Sequence, residues 1–134
     1  MADVLIVDDE PGICDVMARR LQGMGQTCET VGNGRGALLK LCESTAAGRT
    51  YDAVILDLLM PDLDGWSVLR AIRANPLWED VRVIILSGYS STRNDLVRAV
   101  EQDAVFVEKT ADYHAVVQDL ITRYSMSGYS PAIT

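Results

Sequence analysis

Basic residues are scarce in this chain: 12 Lys and Arg stand against 19 Asp and Glu, a formal net charge of −7 with a pI near 4.5. No Lys/Arg cluster offsets that balance locally, so a binder of nucleic-acid backbone, which needs a basic stripe, is excluded. Cysteine is limited to Cys14, Cys28 and Cys42, odd in number, widely spaced and without a CxxC pair. That excludes a disulfide framework and a zinc site, and fits reduced thiols in a cytoplasmic protein. No apolar run approaches the length of a membrane span, and no basic-then-apolar leader opens the chain. Histidine occurs once, as His114, and phenylalanine once, as Phe106.

What is present is an ordinary globular balance, 49 % hydrophobic and 23 % charged over 134 residues, enough for one domain with a real core. Short apolar runs alternate with segments of helical spacing. "DVLIV" (3–7), "QTCETV" (26–31), "DAVILD" (52–57), "VRVIILS" (81–87) and "AVFVEK" (104–109) read as strands, the second half-polar and placed at an edge. Between and after them, helical faces are predicted from Ile13, Val16, Met17, Leu21 and Met24; from Ala37, Leu38, Leu41 and Cys42; from Val68, Leu69 and Ile72; from Leu96, Val97, Ala99 and Val100; and from Ala115, Val116, Leu120 and Ile121. Five strand–helix pairs predict an α/β fold: a five-stranded parallel sheet with helices on both faces, flavodoxin-like and doubly wound. The domain is expected over residues 1–124. Residues 125–134, of linker composition, are expected to form a flexible tail or the start of a linker.

Ligands in such folds bind at the carboxyl ends of the strands. Asp8 and Asp9 follow the first strand, Asp57 ends the third, Ser87 the fourth and Lys109 the fifth. Carboxylates meeting at one rim repel unless a cation neutralises them, and an all-oxygen set with few protein ligands fits Mg²⁺. An acid at position 8 or 9 also suits a helix cap. Asp57 suits a metal ligand or a nucleophile that forms an aspartyl phosphate. Asp62 and Asp64 read as loop and helix-cap residues, and Trp66 as a packing residue at the start of a helix. "GNGRG" (32–36) lacks phosphate-loop spacing and reads as a helix-opening turn. His114 reads as a surface side chain.

Together "VDDEP", "LDLLMPDLDG", "LSGYS" and "FVEK", in that order over about residues 3 to 124, resemble the receiver domain of two-component response regulators. The resemblance implies Asp57 as phosphoacceptor, with Ser87 and Lys109 contacting the phosphoryl group. It implies Mg²⁺ held by Asp8, Asp9, Asp57 and the Leu59 carbonyl, with Asp8 acting through water. Ser87 and Phe106 would be the switch pair. The responsive surface would include Arg93, Val97, Glu101, Phe106, Glu108 and Tyr113. Implied partners are a histidine kinase or histidine phosphotransfer protein, and a downstream protein target or output domain, with dimerisation on phosphorylation and no nucleic acid or membrane contact. The domain would assist its own phosphorylation without being an enzyme in the ordinary sense.

The chain departs from the family pattern in five places. Thr110 stands where proline usually follows the lysine, Phe106 has no hydroxyl, "QDA" (102–104) replaces a Gly-containing turn, and Leu59 and Tyr89 are bulky at positions that tune dephosphorylation. The competing reading is a pseudo-receiver that binds partners without switching. A haloacid dehalogenase-type hydrolase would need an acid two residues after Asp57, where Leu59 stands.

Overall fold

A computed structural model of the chain describes residues 2–88, 92–110 and 112–124. The elements run β1 (Asp3–Val7), α1 (Pro11–Gln22), β2 (Thr27–Val31), α2 (Gly34–Ala46), β3 (Ala53–Asp57) and α3 (Gly65–Ala74). A 3-10 turn (Pro76–Trp78) leads to β4 (Arg82–Ser87), α4 (Arg93–Glu101), β5 (Ala104–Glu108) and α5 (Tyr113–Tyr124). All strand pairs are parallel, in the order β2-β1-β3-β4-β5. The half-polar second strand therefore lies at an edge, as its composition predicts. The expected tail, 125–134, and Tyr89 lie outside the described residues.

Because side chains alternate along a strand, the three central strands feed two cores at once. Leu5, Val7, Val54, Leu56, Val83 and Ile85 face α2 and α3, whereas Val4, Ile6, Ala53, Ile55, Ile84 and Leu86 face α1 and α5. All five residues of β3 are buried, which anchors Asp57 at the end of the most enclosed strand.

Four helical faces differ in part from those read off the spacing: on α1 Val16 is exposed while Cys14 and Ala18 are buried, with Met24 exposed beyond its end, and on α2 Cys42 is exposed. On α5 the buried residues are Val117, Ile121 and Tyr124, while Ala115 and Val116 are exposed. The run "AVV" (115–117) supports more than one helical phase, and packing against β5 and α1 selects among them. On α4 only Ala99 is buried; Leu96, Val97 and Val100 are 47 %, 44 % and 76 % exposed. α4 covers the edge strand β5, which offers it a narrow footing, so most of its apolar face is left in solvent. His114, read as a surface residue, is half-buried and rests on the Tyr113 ring, with centroids 4.1 Å apart.

The α4–β5 turn shows how this chain manages without glycine. Asp103 adopts φ +52°, a left-handed conformation that Asp tolerates better than most residues. Arg73 holds the turn in place. Its guanidinium donates to the carbonyls of Gln102 (2.7 Å), Asp103 (3.0 Å) and Val81 (2.8 Å), tying α3 to the ends of α4 and the start of β4. Desolvation lowers the Arg73 pKa, and these carbonyls satisfy the donors that burial takes from water.

Candidate functional site

The carboxyl ends of β1, β3 and β4 and the residue after β5 converge on one rim. Asp8 is 3 % exposed and Asp57 7 % exposed, so both carboxylates are largely out of water. Lys109, one residue past the end of β5, bridges them: its Nζ lies 3.3 Å from Asp57 Oδ1 and 3.4 Å from Asp8 Oδ2. The backbone holds that bridge in place, because the Lys109 N–H donates to the Ser87 carbonyl at 2.7 Å. Thr110 bends its own N–H back to the Glu108 carbonyl at 2.8 Å, so Lys109 reaches both acids without the family's proline.

The loop after Asp57 is closed just as tightly. Leu58 N–H donates to the Leu86 carbonyl at 2.8 Å, and Gly65 N–H returns to the Leu58 carbonyl at 2.9 Å. Gly65 has no room for a side chain: a Cβ there would lie 2.8 Å from the Asp57 carbonyl oxygen and 2.9 Å from Leu58 Cα. Gly34 plays the matching part on α2, where a Cβ would meet the Leu63 carbonyl at 2.7 Å. "GNGRG" is thus the turn it was read as, with Asn33 capping α2 through a bond from Gly36 N–H. It also braces the β3–α3 loop, since Arg35 pairs with Asp62 at 3.1 Å. Asp64 caps α3 by accepting from Ser67 N–H at 2.8 Å, as expected.

Electrostatics at the rim are set by burial and opposed charges. Desolvation raises the Asp57 pKa; Lys109 opposes that rise and Asp8 adds to it. Lys109 would be lowered by its own desolvation, but Asp57 and Asp8 outweigh that loss and hold it protonated above its usual value. Neither Asp8 nor Asp9 caps α1: the N-cap is Glu10, with no side-chain cap bond. Asp8 Oδ1 instead accepts from the Glu10 N–H at 2.9 Å.

Asp8, Asp9 and Glu10 bring carboxylate oxygens within 4.8 Å of one another, Asp8 buried and the other two exposed. Glu10 was absent from the candidates read off the sequence, although three consecutive acids after a strand are its visible signal. Ser87 is fully buried at the end of β4. Leu59 is 65 % exposed beside the site. Of the expected responsive surface, Arg93, Val97 and Glu101 are exposed, and Phe106, Glu108 and Tyr113 are half-buried.

Residues 4–121 match the response regulator receiver domain family. The chain belongs to that family. This receiver domain is 34 % identical over 90 residues to the transcriptional regulatory protein TcrA of Mycobacterium tuberculosis, a match covering 67 % of this chain and 34 % of TcrA. It thus spans about a third of the length of that relative. Among solved structures it resembles the response regulator TrrA of Thermotoga maritima, crystallised in complex with Mg²⁺ and BeF: 33 % identity, 91 % of this chain, 98 % of TrrA, TM-score 0.73. It also resembles the signal receiver domain of a histidine kinase from Syntrophus aciditrophicus, at 29 % identity, 100 % and 98 % coverage and TM-score 0.78. Phosphorylation-dependent switching is general to receiver domains of two-component systems. Among the described residues, no helix is long and apolar enough to cross a membrane.

Proposed function

We propose that this receiver domain takes a phosphoryl group onto Asp57 from a histidine kinase or histidine phosphotransfer protein, in the cytoplasm. The observation that carries the reading is the Lys109 ammonium, set between two buried carboxylates at 3.3 and 3.4 Å. An ammonium placed there counters the charge of the attacking Asp57 and then of the phosphoryl oxygens it acquires. Asp57 Oδ1 forms the new O–P bond as the donor's N–P bond breaks, and the departing imidazole keeps the electron pair. Ser87, at the adjoining strand end, is assigned the hydroxyl that draws toward the new phosphate.

The donor set at this rim is oxygen throughout, carboxylate and carbonyl, which suits a hard divalent cation. Asp8, Asp9 and Asp57, with the Leu59 carbonyl, are the residues that would hold Mg²⁺; the carboxylates already within 4.8 Å of one another are Asp8, Asp9 and Glu10. When bound, the ion supplies positive charge to the phosphoryl oxygens.

The added charge switches the α4–β5–α5 surface carrying Arg93, Val97, Glu101, Phe106, Glu108 and Tyr113. The exposed apolar residues of α4, Leu96, Val97 and Val100, support a protein partner there: a downstream target, an output domain of a longer regulator, or a second phosphorylated copy. Leu59, exposed beside Asp57, is assigned to slow hydrolysis by obstructing water.

The test is intact mass after incubation with Mg²⁺ and acetyl phosphate, beside Asp57→Asn. Gain of one phosphoryl group by the native chain alone is the expected result. No gain with either acetyl phosphate or a phosphorylated kinase, while Mg²⁺ still binds, would select the non-switching interaction module instead.

A further inference from the structure

Trp66 is the second residue of α3, directly after the glycine that lies against the Asp57 backbone. Its half-buried indole stacks on the Phe106 ring of β5, with centroids 6.1 Å apart and planes inclined by 25°. From α4 the Arg98 guanidinium sits over the same indole, 4.3 Å from its centre. Three elements, α3, β5 and α4, are therefore joined through one side chain. Aromatic pairs at this separation attract beyond the area they bury, and a guanidinium over an indole adds an electrostatic term.

Phe106 has no hydroxyl, so no hydrogen bond selects between positions of its ring. Packing decides, and among the described residues Phe106 has a ring partner in Trp66. Beside the indole a cleft of about 190 Å³, lined by Trp66, Arg70, Arg98, Glu101 and Gln102, opens between α3 and α4. It gives the indole room to move, and Phe106 does not line it.

We infer that Trp66 is a positioning residue for the switch. It holds the Phe106 ring at rest, Arg98 steadies the indole, and α4 and β5 rearrange when that stack opens. The trigger rests on the phosphoacceptor reading above, whereas the stack belongs to the resting state. Losing a ring pair of this kind should ease the rearrangement about two- to tenfold. Losing the guanidinium should ease it about two- to fivefold.

Phe106 is the only phenylalanine in the chain, so 4-fluorophenylalanine places a single fluorine at the switch. In the full chain, two fluorine NMR readouts are compared among wild type, Trp66→Leu, Trp66→Tyr and Arg98→Gln. The first is relaxation of the resting signal by a soluble gadolinium chelate. The second is the acetyl phosphate concentration, at fixed Mg²⁺, that half-converts the signal to a new position. Trp66→Leu is expected to raise the relaxation and lower the half-conversion concentration about two- to tenfold. Arg98→Gln should do so less, and Trp66→Tyr should restore both toward wild type.

Unchanged relaxation and unchanged half-conversion in Trp66→Leu would overturn the inference, as would a rise in the concentration needed. Absence of any phosphoryl gain in wild type would sink the phosphoacceptor reading, and the resting relaxation would still decide the role of Trp66. Should Trp66→Leu fail to fold, the graded pair Trp66→Tyr and Arg98→Gln decides by the same two readouts.

Discussion

Replacing Lys109 with Met removes the cation between Asp8 and Asp57 and leaves two nearly buried carboxylates facing each other. Each ion pair, at 3.3 or 3.4 Å, has a gross attraction of about 5 kcal/mol at an effective dielectric near 20. The ammonium's own desolvation, with its side chain only 15 % exposed, cancels much of that. The net loss on breaking a buried pair is about 3 kcal/mol, toward the low end because the site opens to water on one side. For a domain of this size that corresponds to a fall of about 10 °C in Tm.

Burial already raises the Asp57 pKa, and Met at position 109 removes the charge that opposes the rise. A carboxyl with a raised folded pKa is favourable to folding below its unfolded pKa and loses that contribution as pH rises through the folded value. The deficit of Lys109→Met should therefore widen between acidic and neutral pH. Mg²⁺, replacing the missing charge, should raise the Tm of the variant more than that of wild type. Thermal melts at pH 4.5 and 7.5, with EDTA and with Mg²⁺, measure all three effects. A variant as stable as wild type in EDTA at pH 7.5, or Mg²⁺ shifts equal in both proteins, would refute the electrostatic account.

Two further outcomes follow from the geometry around the rim. Gly65→Ala drives a Cβ to 2.8 Å from the Asp57 carbonyl, and moving that backbone should cost about 1–3 kcal/mol and slow phosphorylation of Asp57. Urea denaturation and the intact-mass time course check it, and an unaffected rate would mean the loop yields without moving Asp57. The Cys14 thiol is 3 % exposed and donates to the Asp8 carbonyl at 3.4 Å; burial, with Asp8 nearby, pushes its pKa up from 9.0 to about 11. Its contribution is fully present below pH 9 and is lost as pH rises toward 11, up to about 2–3 kcal/mol. The stability gap between wild type and Cys14→Ala should shrink over that range; a gap constant from pH 7 to 10.5 would contradict it.

The parts of this fold legible in the sequence are those governed by position along one strand. The two-residue period of "VILD" fixes which side chains face which core, and the rule that parallel strands point their carboxyl ends the same way gathers Asp8, Asp57 and Lys109. Lys109 lies 101 residues from Asp8, yet their meeting follows from strand order alone. Pairings between helices are different. Trp66 meets Phe106 and Arg98, and Arg73 meets Gln102 and Asp103, because of the phase and tilt of α3 and α4. A period of 3.6 residues does not set that phase where apolar residues run together. The α5 face misread at Val116 has the same cause, whereas α4 is left exposed at Val100 because the edge strand β5 gives it a narrow footing. Glu10 escaped for another reason: it is an exposed acid whose nearness to Asp8 depends on a backbone turn, not on an apolar pattern. Chemistry fixed by strands can therefore be read before the fold is known, whereas the contacts that tie α3, α4 and β5 into one moving unit are decided only when the helices pack.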